Sequence, residues 1–282
     1  MVGFDNGDIA ARYNKRLAII VPYRDRAEHL SKFVPHLATY FQRDKLDCHI
    51  VFSLHIVEQS GTVIFNRGRL RNCGYALARA SADYFCFHDV DYLPLWADYS
   101  WSARPARLAW HGLALPEDPE FFFGAVVLFD KAAFERINGY PNVYWGWGCE
   151  DLDLGRRCHL AGLGFDKRDG TYLALPHPHD GYTEAGARSE EAERTRAIFL
   201  QRRSRLAEFM LSDGLSNLKF ELLDKRPIAV DGQILPHSFH YLVDVGEPQA
   251  DESRLPEVAS PPIGAARQES QAAGACTVAQ RQ

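Results

Sequence analysis

Two indoles and two adjacent carboxylates lie among glycines in residues 144–153, whose sequence is YWGWGCEDLD. Indole faces stack on the apolar face of a sugar ring, and carboxylates accept hydrogen bonds from its hydroxyls. A positioned carboxylate, Glu150 or Asp151, could also remove a proton from such a hydroxyl. The alternative is that Trp145 and Trp147 are core residues and that the acids begin a helix, where the macrodipole favours them. By itself the segment leaves both interpretations open.

The motif Asp89-Val90-Asp91 places two more carboxylates directly after an apolar strand predicted at residues 84–88. Ligands bind at the carboxyl ends of strands in open α/β sheets, so this loop is well placed for a site. Two acids spaced by one residue are common in loops by chance. Beside the tryptophan segment, however, they favour a hard divalent cation that joins a carboxylate to substrate phosphates, as in a nucleotide sugar.

The sequence His177-Pro178-His179-Asp180 adds two imidazoles at a spacing that points both to one side of an extended backbone. Most isolated pairs of this kind are surface or structural residues. Together with a nearby carboxylate, His177 and His179 indicate a metal site in which nitrogen ligands favour Mn²⁺ over Mg²⁺.

Aromatic and arginine residues occur together after the first two predicted strands, in residues 22–26 (PYRDR) and 65–69 (FNRGR). Guanidinium groups pair with phosphates, and an aromatic ring can contact a nucleotide base, so the two segments predict a nucleotide pocket. The alternative is two ordinary helix starts with surface charge. By contrast, the arginines of residues 194–205 lie among glutamates and predict a solvated helix face.

Short apolar runs and apolar residues at helical spacing predict the elements that position these groups. Strands are expected at residues 17–22, 48–57, 84–88, 121–129, 217–223 and 237–245. Helices are expected at residues 25–42, 66–80, 130–137, 150–160 and 189–211, with Asn66 as a cap. Because strands and helices alternate from the first strand onward, the sequence predicts an α/β fold.

The composition bounds the class of protein. The chain has 282 residues, 46% of them hydrophobic, which suits one domain of catalytic size, expected at residues 17–247. Residues 1–16 are expected to be a lead-in and residues 248–282 a disordered tail. A net charge of −5 offers no general attraction for nucleic acid, and no apolar run of about 18 residues predicts a transmembrane segment. The six scattered cysteines predict reduced thiols and, with no secretory signal, a cytoplasmic location.

With these motifs in view, the sequence resembles the β-1,4-galactosyltransferase family, glycosyltransferase family 7, and most closely its xylosylprotein branch. The resemblance runs from Leu17 to about Val245 and includes the segments VPYRDR, FNRGRL, HDVDYLPL, WGWGCEDLD and HPHD. It implies a GT-A fold, which is a Rossmann-like α/β domain with a mixed central sheet that binds a UDP-sugar and Mn²⁺. It also implies transfer of the sugar to a saccharide or glycoconjugate acceptor with inversion.

The resemblance assigns roles to individual residues. The donor contacts that it implies are Pro22, Tyr23, Arg24, Arg26, Phe65, Arg67, Asp89, Val90, Phe122 and Trp147. The metal ligands that it implies are Asp91, His177 and His179. Acceptor contacts are expected from Trp147, Glu150 and Asp151, and the two acids are the catalytic candidates, with Asp151 as the base.

Three positions depart from the family pattern. Family members often have glycine where Cys149 stands and an acid where Leu152 stands, so the acceptor pocket is expected to differ in shape and charge. Phe122 stands where galactose-using members carry tyrosine, and a ring of that volume favours galactose over an N-acetylated sugar. Animal members are anchored in the Golgi, whereas a cytosolic enzyme with a lipid- or glycan-linked acceptor is expected here.

The resulting hypothesis is a Mn²⁺-dependent, inverting transferase that moves a hexose, in the first instance galactose, from a UDP-sugar. One alternative is an N-acetylgalactosaminyl or other hexosyl transferase. Another is a noncatalytic glycan- or nucleotide-binding protein on the same scaffold. A third is a metal-dependent hydrolase, which would use the same ligands but leaves the tryptophan segment without a role.

Overall fold

A computed structural model describes residues 15–42, 50–109, 121–168, 170–177 and 188–248. The expected lead-in and tail, apart from their residues nearest the domain, lie outside these ranges. The predicted ligand His179 lies outside them as well.

Among the described residues, eight strands form one mixed sheet in the order β7-β5-β6-β3-β1-β2-β10-β9. These strands are β1 (Arg16–Tyr23), β2 (Val51–Gln59), β3 (Tyr84–His88), β5 (Ala106–Arg107), β6 (Val126–Asp130), β7 (Asp166–Lys167), β9 (Glu221–Val230) and β10 (Gln233–Asp244). The central pairs β3-β1, β1-β2 and β2-β10 are parallel, whereas β6 and β9 run antiparallel to their inner neighbours. The mixed central sheet of the predicted α/β fold is therefore present.

Alternate side chains of β1 bury themselves on opposite faces of the sheet, as the two-residue period of a strand requires. Leu17 and Ile19 pack on one face with helix α1 (Ala27–Gln42). Ala18 and Ile20 pack on the other face with helix α2 (Arg67–Ala78). Two apolar cores, one on each side, therefore fix β1 and the loop that follows it.

The remaining helices lie around this sheet. They are α3 (Lys131–Arg136), α4 (Glu150–Leu160), α5 (Glu190–Arg202) and α6 (Leu206–Ser212). Helix α4 approaches the segment before β6 so closely that a Cβ on Gly155 would overlap the Phe121 carbonyl oxygen. Only glycine allows this approach, which sets the position of the acid-bearing end of α4.

A separate two-stranded antiparallel ribbon joins β4 (Tyr92–Ala97) to β8 (Gly170–Ala174). The sequence did not predict these strands. Pro94 lies inside β4, and the register shifts between Pro94 and Trp96, so the alternation that identifies a strand is interrupted.

Several predicted boundaries need correction. The strand predicted at residues 121–129 begins only at Val126, because Ala125 has a positive φ of 61° and ends the extended backbone before it. The helix predicted at residues 189–211 is two helices, α5 and α6, separated by a 3-10 turn at Arg203–Arg205. The strand predicted at residues 217–223 begins only at Glu221 and extends to Val230, and the strand predicted at residues 237–245 begins earlier, at Gln233. Strand β3 and helix α4 have the predicted bounds, and Asn66 caps α2 by accepting a hydrogen bond from the Arg69 amide.

Within the described ranges, none of the helices combines the length and the apolar character needed to cross a bilayer. The buried cysteines Cys73, Cys86 and Cys158 are free thiols, in agreement with the prediction for these three positions.

Candidate active site

The loops after β1 and β3, the start of α2 and the end of the β4–β8 ribbon enclose a cavity of about 280 Å³. Its lining residues are Pro22, Arg24, Asp25, Arg26, Phe65, Arg67, Asp89, Val90, Asp91 and His177. Three arginines and one aromatic ring share this cavity with an acid–imidazole pair. The position at the carboxyl ends of parallel strands is the one expected for a ligand in an α/β sheet.

Arg24 and Phe65 form one wall of the cavity. The Arg24 guanidinium lies over the Phe65 ring, 5.3 Å from its centroid, and Nη1 donates a hydrogen bond to the Val63 carbonyl. This cation–π contact keeps the guanidinium charge at the cavity surface and restrains the orientation of the Phe65 ring. The Phe65 carbonyl in turn accepts a hydrogen bond of 2.8 Å from the Gly146 amide, which ties the tryptophan segment to this wall.

Hydrogen bonds to the Asp89 backbone hold the start of the Asp89-Val90-Asp91 loop. The Asp89 amide donates to the Ala125 carbonyl at 3.0 Å, and the buried His88 ring lies 2.8 Å from the Asp89 carbonyl through Nδ1. Burial lowers the pKa of His88 to about 4, so the neutral ring donates from Nδ1 at pH 7. Burial alone would raise the pKa of Asp89, but the charges of Arg71 and Arg67 outweigh it, and the carboxyl pKa is lowered.

Asp91 and His177 face each other, with 3.0 Å between Oδ2 and Nε2. The β4–β8 ribbon brings them together, because Asp91 precedes β4, His177 follows β8, and the Leu175 amide donates to the Asp91 carbonyl at 2.7 Å. Burial and the nearby Asp89 charge raise the pKa of Asp91.

A carboxylate and an imidazole at this separation suit a transition metal such as Mn²⁺. In the part of the chain that the structure describes, no three His, Cys, Asp or Glu side chains form a metal-binding group. The Asp91–His177 pair therefore fits two of the three ligands that the sequence predicts. The assignment of His179 stays a prediction.

Glu150 and Asp151 begin helix α4 after Cys149, whose backbone is left-handed with a φ of 73°. Glu150 is buried, and its Oε1 lies 3.1 Å from Nη1 of Arg67. Arg67 thus contacts the cavity and the start of the acid-bearing helix at once. Since Glu150 faces inward, its predicted contact with the acceptor is not visible in this arrangement and stays a prediction.

The Asp151 carboxylate is half-buried beside the Gly124 backbone. A Cβ added to Gly124 would lie 2.8 Å from Oδ2 of Asp151. Its Oδ1 accepts a hydrogen bond of 2.8 Å from the Leu152 amide. Burial, and after it the negative charge of Glu150, raise the pKa of Asp151 to about 7, against the lowering effect of Arg67. A carboxylate with this pKa can take a proton near neutral pH, as a general base must.

The two tryptophans differ in their surroundings. Trp145 is buried under the Arg69 guanidinium, which lies 4.8 Å from the centroid of the indole ring. This is the structural role that the sequence left open for both residues. Trp147 is half-buried, and its carbonyl accepts a hydrogen bond of 2.7 Å from the Thr195 hydroxyl, so α5 holds it in place. Of these two indoles, it is Trp147 that leaves part of its surface available to a ligand.

Two of the departures from the family pattern belong to one apolar cluster. Phe122 and Leu152 are buried in it together with Val143, Tyr144, Ile198 and Phe199. An acid at position 152 would bring a charge into this cluster, whereas leucine fills it. The Phe122 carbonyl also accepts a hydrogen bond from Nη1 of Arg107, which fixes the backbone beside Asp151.

Tyr23 lies apart from the other predicted donor contacts. Its ring packs edge-on to His240 at 5.7 Å and lines a second cavity on the other side of the strand end. The alternation of β1 explains this position, since Pro22 and Arg24 turn toward the first cavity and Tyr23 turns away. Phe122, Trp147, Glu150 and Asp151 do not line the first cavity either, although Arg67 links it to the two acids.

A buried arginine outside the predicted site residues also contacts the donor loop. Arg71 is 1% exposed and its Nη2 lies 2.7 Å from Asp89 Oδ1. A third arginine after Arg67 and Arg69 was visible in the sequence, one helical turn beyond Arg67. Its burial could not be predicted from the sequence, because arginine side chains on a helix are usually exposed to solvent.

Comparison with known proteins gives consistent matches along the chain. The family model described as the N-terminal region of glycosyl transferase group 7 matches residues 8–101. The model described as the N-terminal domain of galactosyltransferase matches residues 112–178. The chain is 33% identical to β-1,4-galactosyltransferase 6 of Mus musculus over 235 residues, which are 78% of this chain and 57% of the relative. It is 33% identical to β-1,4-galactosyltransferase 1 of Homo sapiens over 247 residues, 83% of this chain and 56% of the relative. The chain therefore spans little more than half the length of these relatives.

Among solved structures, the catalytic domain of Drosophila β-1,4-galactosyltransferase 7 in complex with xylobiose superposes with a TM-score of 0.65 at 27% identity. The match covers 82% of this chain and 94% of that chain. A mutant of the same enzyme in complex with manganese, UDP-Gal and xylobiose gives a TM-score of 0.61 at 26% identity, with the same coverage. The mixed sheet described above is the GT-A type of α/β fold.

Proposed function

The chain belongs to the β-1,4-galactosyltransferase family, glycosyltransferase family 7, and from this premise we propose that it is a Mn²⁺-dependent, inverting glycosyltransferase. It moves a hexose, in the first instance galactose, from a UDP-sugar to a hydroxyl of a saccharide acceptor. The observation that carries the proposal is the cavity in which three arginines and the Asp91–His177 pair meet at the carboxyl ends of the central strands. A related enzyme that binds manganese and UDP-Gal supports the choice of cofactor and donor.

The cavity side chains suit a nucleoside diphosphate. Arg24, Arg26 and Arg67 supply positive charge for the diphosphate oxygens, and guanidinium groups bind such oxygens in pairs. The Phe65 ring, whose orientation the Arg24 guanidinium restrains, offers an apolar face to the nucleoside. When bound at Asp91, His177 and His179, Mn²⁺ would supply Lewis-acid neutralisation of the diphosphate leaving group.

Asp151 serves the acceptor side of the reaction. Its carboxylate takes the proton of the acceptor hydroxyl while the hydroxyl oxygen forms a bond to the anomeric carbon. The bond between that carbon and the diphosphate oxygen breaks, the electron pair leaves with UDP, and the configuration inverts. In the protein without ligand, Glu150 contacts Arg67, which places the start of α4 beside the donor cavity. The half-buried Trp147 stacks on the sugar and excludes water from it.

The donor preference is part of the proposal. Phe122 is held in an apolar cluster and presents no hydroxyl, which fits a hexose without an N-acetyl group. An N-acetylgalactosaminyl or other hexosyl transferase, a noncatalytic binding protein and a hydrolase are the alternatives that an assay must separate. The cytoplasmic location expected from the sequence likewise stays a prediction.

A UDP-release assay with the purified protein tests the proposal. UDP-galactose, UDP-N-acetylgalactosamine and UDP-glucose are each supplied with Mn²⁺ or with a chelator, against xylosides, glucosides and N-acetylglucosaminides. We expect release that requires Mn²⁺, UDP-galactose and one class of acceptor, with product sugar detected by mass spectrometry. Release without an acceptor product indicates a hydrolase, and UDP binding without release from any pair indicates a binding protein.

A further inference from the structure

Arg71 is a buried cation beside the active site that the transfer mechanism above does not use. It lies on α2 one helical turn after Arg67, but it does not line the donor cavity and is only 1% exposed. A buried guanidinium is costly unless nearby carboxylates and rings compensate its charge. Its partners therefore indicate what it is for.

Those partners come from three different segments of the chain. Nη2 lies 2.7 Å from Asp89 Oδ1, on the donor loop, and Nη1 lies 3.8 Å from Glu150 Oε1, at the start of α4. The guanidinium also lies over the Tyr140 ring, 4.9 Å from its centroid, in the turn before the tryptophan segment. One rigid, planar group thus touches the donor loop, the base-bearing helix and the turn that leads to Trp147.

Arg67 and Arg71 have different roles because they differ in their exposure to the donor cavity. Arg67 also pairs with Glu150, but it faces the cavity, where a diphosphate would compete for its charge. Arg71 is out of reach of the cavity and continues to compensate Asp89 and Glu150 when Arg67 turns to a ligand. Its contact with Asp89 is a short hydrogen bond, whereas Nη1 and Nε make no hydrogen bond to the described residues.

We propose that Arg71 is a positioning residue of the transfer reaction, holding the donor loop at Asp89 and the start of α4 at Glu150 in one arrangement. The proposal rests on the proposed transferase function. Through Glu150, Arg71 acts on the neighbouring base Asp151. The charged and titratable groups that face Asp151 are Glu150 on its own helix, Arg67 and Arg71 on α2, Arg107 on β5, and Tyr140 in the turn before the tryptophan segment.

Arg71→Met and Arg71→Lys test the proposal in the full chain with Mn²⁺. Removal of the charge in Arg71→Met is expected to lower kcat/KM for the UDP-sugar by about 10- to 100-fold, the usual effect of losing an outer partner of a site. The rising limb of the kcat pH profile should move to higher pH, because a positive charge near Asp151 is lost. Arg71→Lys keeps the charge and should restore the limb to the wild-type position while recovering only part of kcat/KM.

Arg69→Met is the matched control. Arg69 is buried on the same helix, but its guanidinium contacts the carbonyls of Asn142 and Val245 and the Trp145 ring. Its loss should lower the melting temperature without moving the pH limb. If Arg71→Met does not fold, Arg71→Gln replaces it, since the amide is neutral and can still donate to Asp89.

The outcomes separate this inference from the proposed function. A wild-type protein that transfers no sugar in any donor–acceptor pair removes the proposed function. An active wild-type protein whose folded Arg71→Met or Arg71→Gln variant keeps kcat/KM within about threefold and an unmoved pH limb overturns the role of Arg71 alone. An equal limb shift in Arg69→Met would also overturn it, because the effect would then follow from any buried arginine of α2.

Discussion

Replacement of Asp151 by asparagine removes the proposed base and keeps its shape. The side-chain oxygen of the new amide can still accept the hydrogen bond that Asp151 takes from the Leu152 amide, but an amide cannot take a proton. A positioned general base contributes about 10²- to 10⁴-fold to turnover. We therefore expect kcat at pH 8 to fall by about this factor. The KM for the UDP-sugar should change little, since Asp151 does not line the donor cavity.

The same replacement should stabilise the fold, because the site disfavours the charge of Asp151. The carboxyl pKa is raised from 3.8 to about 7 in the folded protein, so the folded state binds the proton more tightly than the unfolded chain does. Wild-type stability from this group is therefore full at low pH and falls as the pH rises from about 4 to about 7. Asp151→Asn has no such loss, and its advantage should be complete above pH 7.

The size of this gain follows from the shift. At about 1.4 kcal/mol per pKa unit, the full linkage would be about 4 kcal/mol. Because Asp151 is only half-buried, solvent screens part of this effect, and we expect a gain of about 1–2 kcal/mol at pH 8. The gain should vanish at pH 4. Loss of activity and gain of stability in one variant is the pattern of a group kept for function.

The assay combines kinetics and denaturation. UDP release is measured from pH 5 to pH 9, and urea unfolding is measured at pH 4 and pH 8, for wild type, Asp151→Asn and the exposed control Asp231→Asn. Asp231 lies in the turn between β9 and β10 at a φ of 50°, a conformation that asparagine tolerates, so this control should match wild type. Turnover of Asp151→Asn within about tenfold of wild type, or a kcat that still rises through pH 7 in that variant, would refute the assignment of Asp151.

Three further predictions follow from the site and its surroundings. Asp91→Ala and His177→Ala should each weaken Mn²⁺ binding at least about tenfold, measured by electron paramagnetic resonance. A chelator should abolish the turnover of the wild-type protein. Unchanged Mn²⁺ affinity in both variants would refute the assignment of the metal site. Trp147→Ala should raise the acceptor KM and change the free energy of unfolding by less than about 1 kcal/mol. Trp145→Ala should lower the free energy of unfolding by about 3–5 kcal/mol, measured with urea. The reverse ranking would show that the roles of the two indoles are exchanged. Asp213→Ala should cost about 3–5 kcal/mol in urea unfolding, because the buried Arg202 guanidinium loses the carboxylate that pairs with it. A loss below about 1 kcal/mol would contradict that account.

The sequence predicted well the elements whose pattern is local. Strand β3 is a continuous apolar run and α4 begins at adjacent acids, so both have the predicted bounds. The donor cavity was predictable for a related reason. Loops that follow parallel strands meet at one edge of the sheet, and residues 22–26 and 89–91 therefore come together there.

Features that depend on tertiary contact were not predictable in this way. Arg202 was expected on a solvated helix face, but it is buried and its Nη2 lies 2.5 Å from Asp213 Oδ2. Arg71 is a similar case, since its carboxylate partners lie on other elements. The β4–β8 ribbon was missed because its pairing joins segments remote in sequence and its register is irregular. For both arginines, the side-chain type is compatible with solvent exposure, and burial depends on a carboxylate partner on another element.

The β4–β8 ribbon has a consequence for the order in which the protein folds and takes up metal. Asp91 and His177 are 86 positions apart, and joining ends so distant costs chain entropy. Backbone hydrogen bonds between Asp91 and Leu175 and along the ribbon hold the two segments together. A metal at this site would therefore bind segments that the ribbon already holds together, whereas the metal of a zinc finger must bring its own ligands together. We therefore expect chelation to remove the cation without unfolding the chain, so that added Mn²⁺ restores the site.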